Sequence, residues 1–160
     1  MKLTLVMESL EQTDRLAELV GRAAEGGQFL ALCGDLGAGK TTFARSVTQA
    51  LGCRKLATSP TFSVLQHYEG GRLRVFHGDL YRLGSEDEVY DLGWDEFLDE
   101  YSDGLMIVEW ADKFPAVLPK DRLTLDCSYG EDMDRRTFQL TADGPRSVKL
   151  LQTIGDEWVT

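Results

Sequence analysis

The chain is poor in cysteine, has no long apolar run, and carries too few basic residues to balance its acids. Its three cysteines, Cys33, Cys53 and Cys127, form an odd set without a C-x-x-C spacing, so neither a disulfide framework nor a zinc site is indicated. We expect buried or incidental thiols in a reducing compartment. No apolar run approaches the roughly 20 residues that span a membrane, and the N-terminus becomes charged too early for a signal peptide. A soluble protein of the cytoplasm is predicted.

Acidic residues clearly outnumber basic ones. Seventeen Lys and Arg stand against 27 Asp and Glu, a formal net charge of −10, and this balance repels a polyanion over most of the surface. Tight, direct binding of nucleic acid is therefore not expected. The acids are concentrated in residues 85–103, which fits either a solvated face or a docking surface for a basic partner. Residues 1–160 are expected to form one domain, with a core that needs no disulfide or structural metal.

One short segment carries most of the functional information. Residues 34–42 read GDLGAGKTT and fit G-x-x-x-x-G-K-[ST], a phosphate-binding loop. Its glycines let backbone N–H groups surround the α- and β-phosphates, Lys40 reaches the β- and γ-phosphates, and the Thr41 hydroxyl can bind Mg²⁺. The residues predicted to contact nucleotide in this segment are Asp35, Leu36, Gly37, Ala38, Gly39, Lys40, Thr41 and Thr42.

The flanking segments suit this motif. Residues 28–33 form an apolar run typical of a buried strand, and residues 41–51 have an apolar helical stripe. A helix that begins at the loop adds its partial positive charge to the phosphate site. Periodicity and turn residues predict the remaining elements: strands over 2–7, 104–110, 122–127 and 136–141, a hairpin over 62–81, a helix that Ser9 caps and that Gly26 and Gly27 end, two short helices over 85–101 broken at Gly93, and a helix over 147–158.

Two acids are candidates to complete a nucleotide site, because Mg²⁺ needs a second, carboxylate-type ligand and the attacking group must be oriented. Glu109 follows the apolar run LMIV, where P-loop proteins place a Walker B acid; the alternative is that it is only the first exposed residue after a strand. Asp79 follows the second strand of the hairpin, and the alternative for it is a turn or a helix cap.

Three further features have both a functional and a structural interpretation. His77 is more often a packed or hydrogen-bonded strand residue than a catalytic one. Trp110 fits the core or an interface, although its position beside Glu109 allows stacking near the site. The TSPTF segment, residues 58–62, lies where GTPase-like proteins carry a mobile switch, and a Ser/Thr-Pro turn is the alternative.

These segments together resemble the TsaE family, bacterial ATPases required to make the threonylcarbamoyladenosine modification of tRNA. The resemblance rests on GDLGAGKTT, TSPTF, the HGDLYR segment at 77–82 and VEW at 108–110, in that order, and it extends from Gln12 to about Arg136. It implies an α/β, P-loop NTPase-like three-layer domain with a mixed parallel and antiparallel sheet. It also implies ATP as substrate, Mg²⁺ as cofactor, and TsaD and TsaB as partners, with tRNA contacted only indirectly.

The resemblance also assigns roles to residues. It implies that Thr41 and Glu109 bind Mg²⁺, that Asp79 is a further acid needed for hydrolysis, and that residues 59–62 form a switch-like loop. Lys40, Asp79 and Glu109 are then the catalytic set. An N-terminal segment near the adenine corresponds to Gln12 and Thr13, and a basic residue late in the domain corresponds to Arg136.

Two other functions use the same loop. A small-metabolite kinase would need an arginine-rich lid, whereas residues 112–136 contain only scattered basic residues. A nucleotide-dependent binding module with incidental hydrolysis would look the same in sequence as an ATPase that works through partners. GTP is not favoured, because no N-K-x-D segment is present.

Overall fold

The computed structural model describes residues 1–34, 40–54, 65–129 and 135–158. In these residues the chain forms one seven-stranded sheet with the order β1-β7-β6-β2-β5-β4-β3. The strands are β1 (Lys2–Met7), β2 (Gln28–Gly34), β3 (Leu65–Tyr68), β4 (Val75–Asp79), β5 (Leu105–Glu109), β6 (Arg122–Tyr129) and β7 (Arg136–Asp143).

The sheet is mixed, as predicted. Its centre is parallel, because β2 pairs in parallel with β5 and β6, and β5 pairs in parallel with β4. The β3–β4 hairpin and the pairs β6–β7 and β1–β7 are antiparallel. The carboxyl ends of four parallel strands therefore meet at one edge of the sheet, which is where α/β proteins bind their ligands.

Helices cover both faces of the sheet. They are α1 (Leu10–Ala23), α2 (Lys40–Ala50), α3 (Glu86–Asp91), α4 (Trp94–Glu100) and α5 (Pro145–Trp158). One core cluster joins α1, α2 and α5 to the sheet, and a second joins α3 and α4 to its other face. The predicted three-layer α/β fold is confirmed. In the part of the chain that the structure describes, no helix has the length and apolar character needed to cross a membrane.

The central strand shows why this sequence forms a covered sheet. Every residue of β2 before Gly34 is buried, and successive side chains alternate between the two clusters. Leu30 and Leu32 pack under α1 and α2, whereas Phe29 and Ala31 face the layer that contains α3 and α4. A strand buried on both faces needs a continuous apolar run rather than strict alternation, and residues 28–33 supply one.

The acidic segment forms the short helices α3 and α4. Gly93 separates them and has a φ of +86°, a backbone conformation that favours glycine, so the predicted break is confirmed. Val89 and Trp94 face the core, and the Trp94 indole N–H donates to the Val117 carbonyl at 2.9 Å. The acidic side chains described in this segment are exposed, so the two interpretations of the acidic surface both stay open.

All three cysteines are buried and none of them forms a disulfide, so the prediction of buried thiols is confirmed. Burial raises the pKa of the Cys33 thiol to about 12 and that of Cys127 to about 11. Thiols with such pKa values are poor nucleophiles at neutral pH.

The last helix begins at Pro145, two residues before the predicted start, because a distant carboxylate caps it. Asp121 accepts hydrogen bonds from the backbone N–H groups of Arg146 and Ser147, both at 3.0 Å, and from the Ser147 hydroxyl at 2.7 Å. These donors would otherwise be unsatisfied in the first turn. Burial acts to raise the pKa of Asp121, but the hydrogen bonds outweigh it and the net shift is downward.

We expect Asp121→Asn to lower the free energy of unfolding by about 0.3–1 kcal/mol at pH 7, because the negative charge at the start of α5 is lost while one side-chain oxygen can still accept a hydrogen bond. Since the pKa of the folded carboxylate lies below 3.8, its contribution should be complete at neutral pH and disappear as the pH falls below that value. Urea denaturation at pH 7 and pH 3 measures both effects. Asp156→Asn, the same change near the other end of α5, is the control and should not destabilise; equal losses for both variants would contradict the cap.

Candidate functional site

The predicted phosphate loop is bracketed by the expected elements. β2 ends at Gly34 and α2 begins at Lys40, so the predicted strand and helix on either side of the loop are confirmed. Asp35, Leu36, Gly37, Ala38 and Gly39 lie outside the described residues, as do residues 58–62.

Gly34 is required by the backbone at the start of the motif. Its φ is +125°, and a Cβ added there would collide with the carbonyl oxygen of Cys127 on β6. Only glycine adopts this conformation without strain. The chain can therefore leave β2 at this point while staying paired with β6.

Lys40 is held between a carbonyl and an aromatic ring. Its side chain is 6% exposed, its Nζ donates to the Gly34 carbonyl at 2.9 Å, and the same atom lies 4.2 Å from the centroid of the Trp110 ring. An ammonium group over an indole face is attracted by the ring quadrupole, more strongly when water is excluded. The motif lysine is thus buried with its charge directed at the carboxyl end of β2.

Trp110 has an unusual backbone conformation. Its φ is +57° and its ψ is +35°, and it is the one non-glycine residue with positive φ among those that the structure describes. Left-handed conformations cost roughly 1–2 kcal/mol for ordinary residues. The turn directs the indole back over Lys40, with its centroid 4.8 Å from that of Tyr81. Of the two interpretations, the structure supports a position near the candidate site, because Trp110 is partly exposed and its ring lies over the Lys40 ammonium.

Glu109 lies at the carboxyl end of β5 and is buried, with 2% of its surface exposed. Its Oε1 accepts a hydrogen bond from the Thr41 hydroxyl at 2.6 Å, and its Oε2 lies 2.7 Å from Nε2 of His77. The alternative of an exposed residue after a strand is wrong for Glu109. Burial of a carboxylate is costly unless its oxygens are hydrogen-bonded, and here both of them are.

Asp79 ends the neighbouring strand β4 and pairs in register with Glu109. Strand alternation puts it on the same face of the sheet as His77, the face covered by α2. Its Oδ1 accepts a hydrogen bond from the Tyr81 N–H at 3.0 Å, so the turn geometry considered for this residue is present. The two candidate acids are therefore adjacent at the edge of the sheet where α2 begins.

Gln12, Thr13 and Arg136 lie near the same edge but make structural contacts. The Gln12 side chain accepts from the Glu8 N–H at 2.8 Å, and the Thr13 hydroxyl donates to the Ser9 carbonyl at 3.5 Å, so both stabilise the start of α1. Arg136 pairs with Met7 and Tyr129 in the sheet. Its guanidinium lies 4.3 Å from the centroid of the Tyr129 ring. Nucleotide contacts by these three residues remain predictions.

Comparison with known proteins places this arrangement in a family. The family model described as Threonylcarbamoyl adenosine biosynthesis protein TsaE matches residues 7–138. The chain belongs to the TsaE family. The tRNA threonylcarbamoyladenosine biosynthesis protein TsaE of Bacillus subtilis is 39% identical over 144 residues, 90% of this chain and 88% of that protein. The protein of the same name from Treponema pallidum is 34% identical over 145 residues, 91% of this chain and 97% of that protein.

A solved structure has the same fold. The crystal structure of YdiB from Bacillus subtilis superposes with a TM-score of 0.83 at 31% sequence identity, and the match covers 98% of this chain and 96% of that one. The resemblance to the TsaE family and the α/β fold that it implied are both confirmed.

His77 belongs to the HGDLYR segment, but neither the sequence pattern nor the resemblance predicts a role for it in the site. The prediction of a packed or hydrogen-bonded strand residue is confirmed, because His77 is fully buried and is hydrogen-bonded to Glu109. The signal that could have identified it is its position two residues before Asp79, since residues i and i+2 of a strand share a face. What the sequence does not show is that β4 lies directly beside β5.

Proposed function

We propose that this TsaE-family chain binds ATP with Mg²⁺ at the carboxyl edge of its parallel strands and hydrolyses it slowly in the cytoplasm. Its role is to serve the synthesis of threonylcarbamoyladenosine in tRNA together with TsaD and TsaB. The observation that supports this best is the contact between the Thr41 hydroxyl and the Glu109 carboxylate at 2.6 Å, next to the buried ammonium of Lys40. The names of the relatives supply the pathway.

The donor set suits magnesium. Mg²⁺ prefers oxygen ligands and is usually held by one or two carboxylates together with substrate phosphates and water. Thr41 and Glu109 offer a hydroxyl and a carboxylate oxygen side by side, and both lie at the N-terminus of α2, whose partial positive charge favours phosphate. Bound Mg²⁺ supplies charge neutralisation on the β- and γ-phosphates.

The residues around this pair divide the remaining work. Lys40 binds phosphate oxygens as a point charge, and the Trp110 ring excludes water from one side of that ammonium. Asp79, adjacent to Glu109 in the sheet, orients the attacking water or a ligand of the metal. Proton transfer needs no further group in this proposal, because phosphoryl transfer depends chiefly on positioning and electrostatic stabilisation.

The proposal expects a slow enzyme because a second cation for the γ-phosphate is not evident among the described arginines. Arg45 and Arg82 are exposed, and the Arg136 guanidinium lies over Tyr129. An arginine supplied by another protein can raise phosphoryl transfer about 10³- to 10⁵-fold. TsaD or TsaB would then supply the missing group or close residues 58–62 over the nucleotide.

We expect Lys40→Ala to weaken the affinity for ATP and Mg²⁺ by about 10- to 100-fold, because a hydrogen bond to a charged group contributes about 1.5–3 kcal/mol. Isothermal titration calorimetry measures it. Lys149→Ala is the matched control, since Lys149 pairs with Glu25 on the exposed surface. Unchanged affinity in the Lys40 variant would remove the phosphate-loop assignment.

Glu109→Gln and Asp79→Asn should separate metal binding from hydrolysis. Both replacements keep the shape of the side chain, so the melting temperature should change little. For Glu109→Gln, the Mg²⁺ concentration needed for half-maximal turnover should rise about 10-fold or more, since a metal ligand is lost. For Asp79→Asn, turnover should fall by a similar factor and excess Mg²⁺ should not restore it. A variant with turnover within about a factor of two of wild type would lose its place in the site.

The purified chain should hydrolyse ATP slowly, and TsaD and TsaB together should raise its turnover at least about 10-fold. The measurement is phosphate release by the chain alone, with both partners, and then with tRNA. Asp79→Asn with both partners, whose lost turnover excess Mg²⁺ should not restore, is the control for contaminating ATPases and should reach no more than about a tenth of the accelerated wild-type rate.

Rapid hydrolysis that the partners do not change would contradict this proposal and favour an independent enzyme. Full support of growth by Asp79→Asn, which should bind ATP normally but hydrolyse it about 10-fold or more slowly, would instead favour the nucleotide-dependent binding module.

A further inference from the structure

His77 is a fully buried polar residue at the centre of strand β4. It lies in β4 between β5 and β3, with Ile107 and Gln66 as its neighbours in register. Its Nε2 lies 2.7 Å from Oε2 of Glu109. Because an ionised carboxylate only accepts hydrogen bonds, Nε2 carries the hydrogen and donates.

The other ring nitrogen of His77 makes no polar contact with the described residues. Nδ1 is buried and, among the described residues, has no hydrogen-bond partner. The ring of Tyr68 lies beside it, with the centroids 6.4 Å apart. A buried acceptor without a partner costs about 1–3 kcal/mol, so histidine is an expensive choice for a core position if packing alone is considered. Within the part of the chain that the structure describes, the one polar contact of this side chain is with Glu109.

The two oxygens of the Glu109 carboxylate have different hydrogen-bond partners. His77, within the sheet, is hydrogen-bonded to Oε2, and the Thr41 hydroxyl, at the start of α2, donates a hydrogen bond to Oε1. Three long-range positions are thereby joined, since Thr41 is 68 residues and His77 is 32 residues from Glu109 in the chain. With Oε2 held, the carboxylate cannot rotate about its last bond without losing a hydrogen bond in a buried site.

We propose that His77 is a positioning residue that holds Oε2 of Glu109, so that Oε1 is presented beside the Thr41 hydroxyl to magnesium. This inference rests on the proposed function, because it explains how Glu109, the proposed magnesium ligand, is oriented. Groups that orient metal ligands through a hydrogen bond typically change metal affinity about 10- to 100-fold when they are removed. The effect should therefore fall on magnesium and leave the contacts between Lys40 and phosphate intact.

Two amide replacements distinguish the nitrogens of the ring. In His77→Gln the side-chain amide can donate from about the position of Nε2, whereas in His77→Asn it reaches only about the position of Nδ1. ATP binding is measured by calorimetry over a range of Mg²⁺ concentrations and again in EDTA. We expect the Mg²⁺ concentration at half-maximal effect to stay within about 3-fold of wild type for His77→Gln, and to rise about 10-fold or more for His77→Asn.

The binding measurement in EDTA distinguishes a loss of Glu109 positioning from a general disruption of the site. Binding of metal-free ATP should be unchanged in both variants, and a variant whose site is merely distorted would lose it too. His67→Asn, a change at the exposed histidine of β3, is the control and should behave as wild type. Equal Mg²⁺ dependence of His77→Asn and wild type would overturn the proposal, whereas a wild-type protein whose ATP binding ignores Mg²⁺ would overturn the proposed function instead.

A measurement on the unaltered protein keeps the test decisive if His77→Asn does not fold. The chain has two histidines, so ¹⁵N-histidine labelling gives two ring spin systems, and His67→Asn assigns them. His77 should carry a proton on Nε2, with a chemical shift that changes when ATP and Mg²⁺ are added together but not with ATP in EDTA. A ring protonated only on Nδ1, or one that does not respond to Mg²⁺, would overturn the proposal.

Discussion

The burial of one carboxylate constrains the rest of the site. Glu109 is 2% exposed, and a carboxylate withdrawn from water must be compensated by hydrogen bonds or paired charge. Its two oxygens are satisfied by Thr41 from α2 and by His77 from β4, so the ends of both elements are tied to the end of β5. The first turn of α2 cannot shift along the sheet without leaving a buried oxygen unpaired. That requirement fixes where the phosphate loop must return to the helix.

The parallel arrangement of the central strands makes this possible. Because β2, β4 and β5 run in the same direction, the residues that end them are neighbours: Gly34, Asp79 and Glu109 all lie at one edge. An antiparallel centre would have placed Asp79 and Glu109 at opposite edges. The antiparallel pairings occur only outside this centre, between β3 and β4 on one side and among β6, β7 and β1 on the other. The candidate site is thus formed at the end of the parallel part of the mixed sheet.

Local sequence predicted most of the fold because most elements are specified locally. The apolar run of β2, the Ser9 cap of α1 and the break at Gly93 depend on residues within a few positions of each other, and all three are confirmed. Features that depend on distant residues were not predicted. The start of α5 depends on Asp121, 24 positions before Pro145. Similarly, the role of His77 depends on the strand order, which periodicity does not encode.

Within the site, the acids could likewise be predicted from local sequence, whereas the groups around them could not. Glu109 and Asp79 could be identified because acids at strand ends are a local pattern with a known chemical use. The left-handed turn at Trp110, which directs the indole over Lys40, has no comparable sequence pattern, since a non-glycine residue with positive φ is held there by its surroundings. His77 and Asp79 share one short strand. A displacement of β4 would therefore disturb both the hydrogen bond between His77 and Glu109 and the position of Asp79 beside Glu109. The β3–β4 hairpin thus contributes to the site through both residues together.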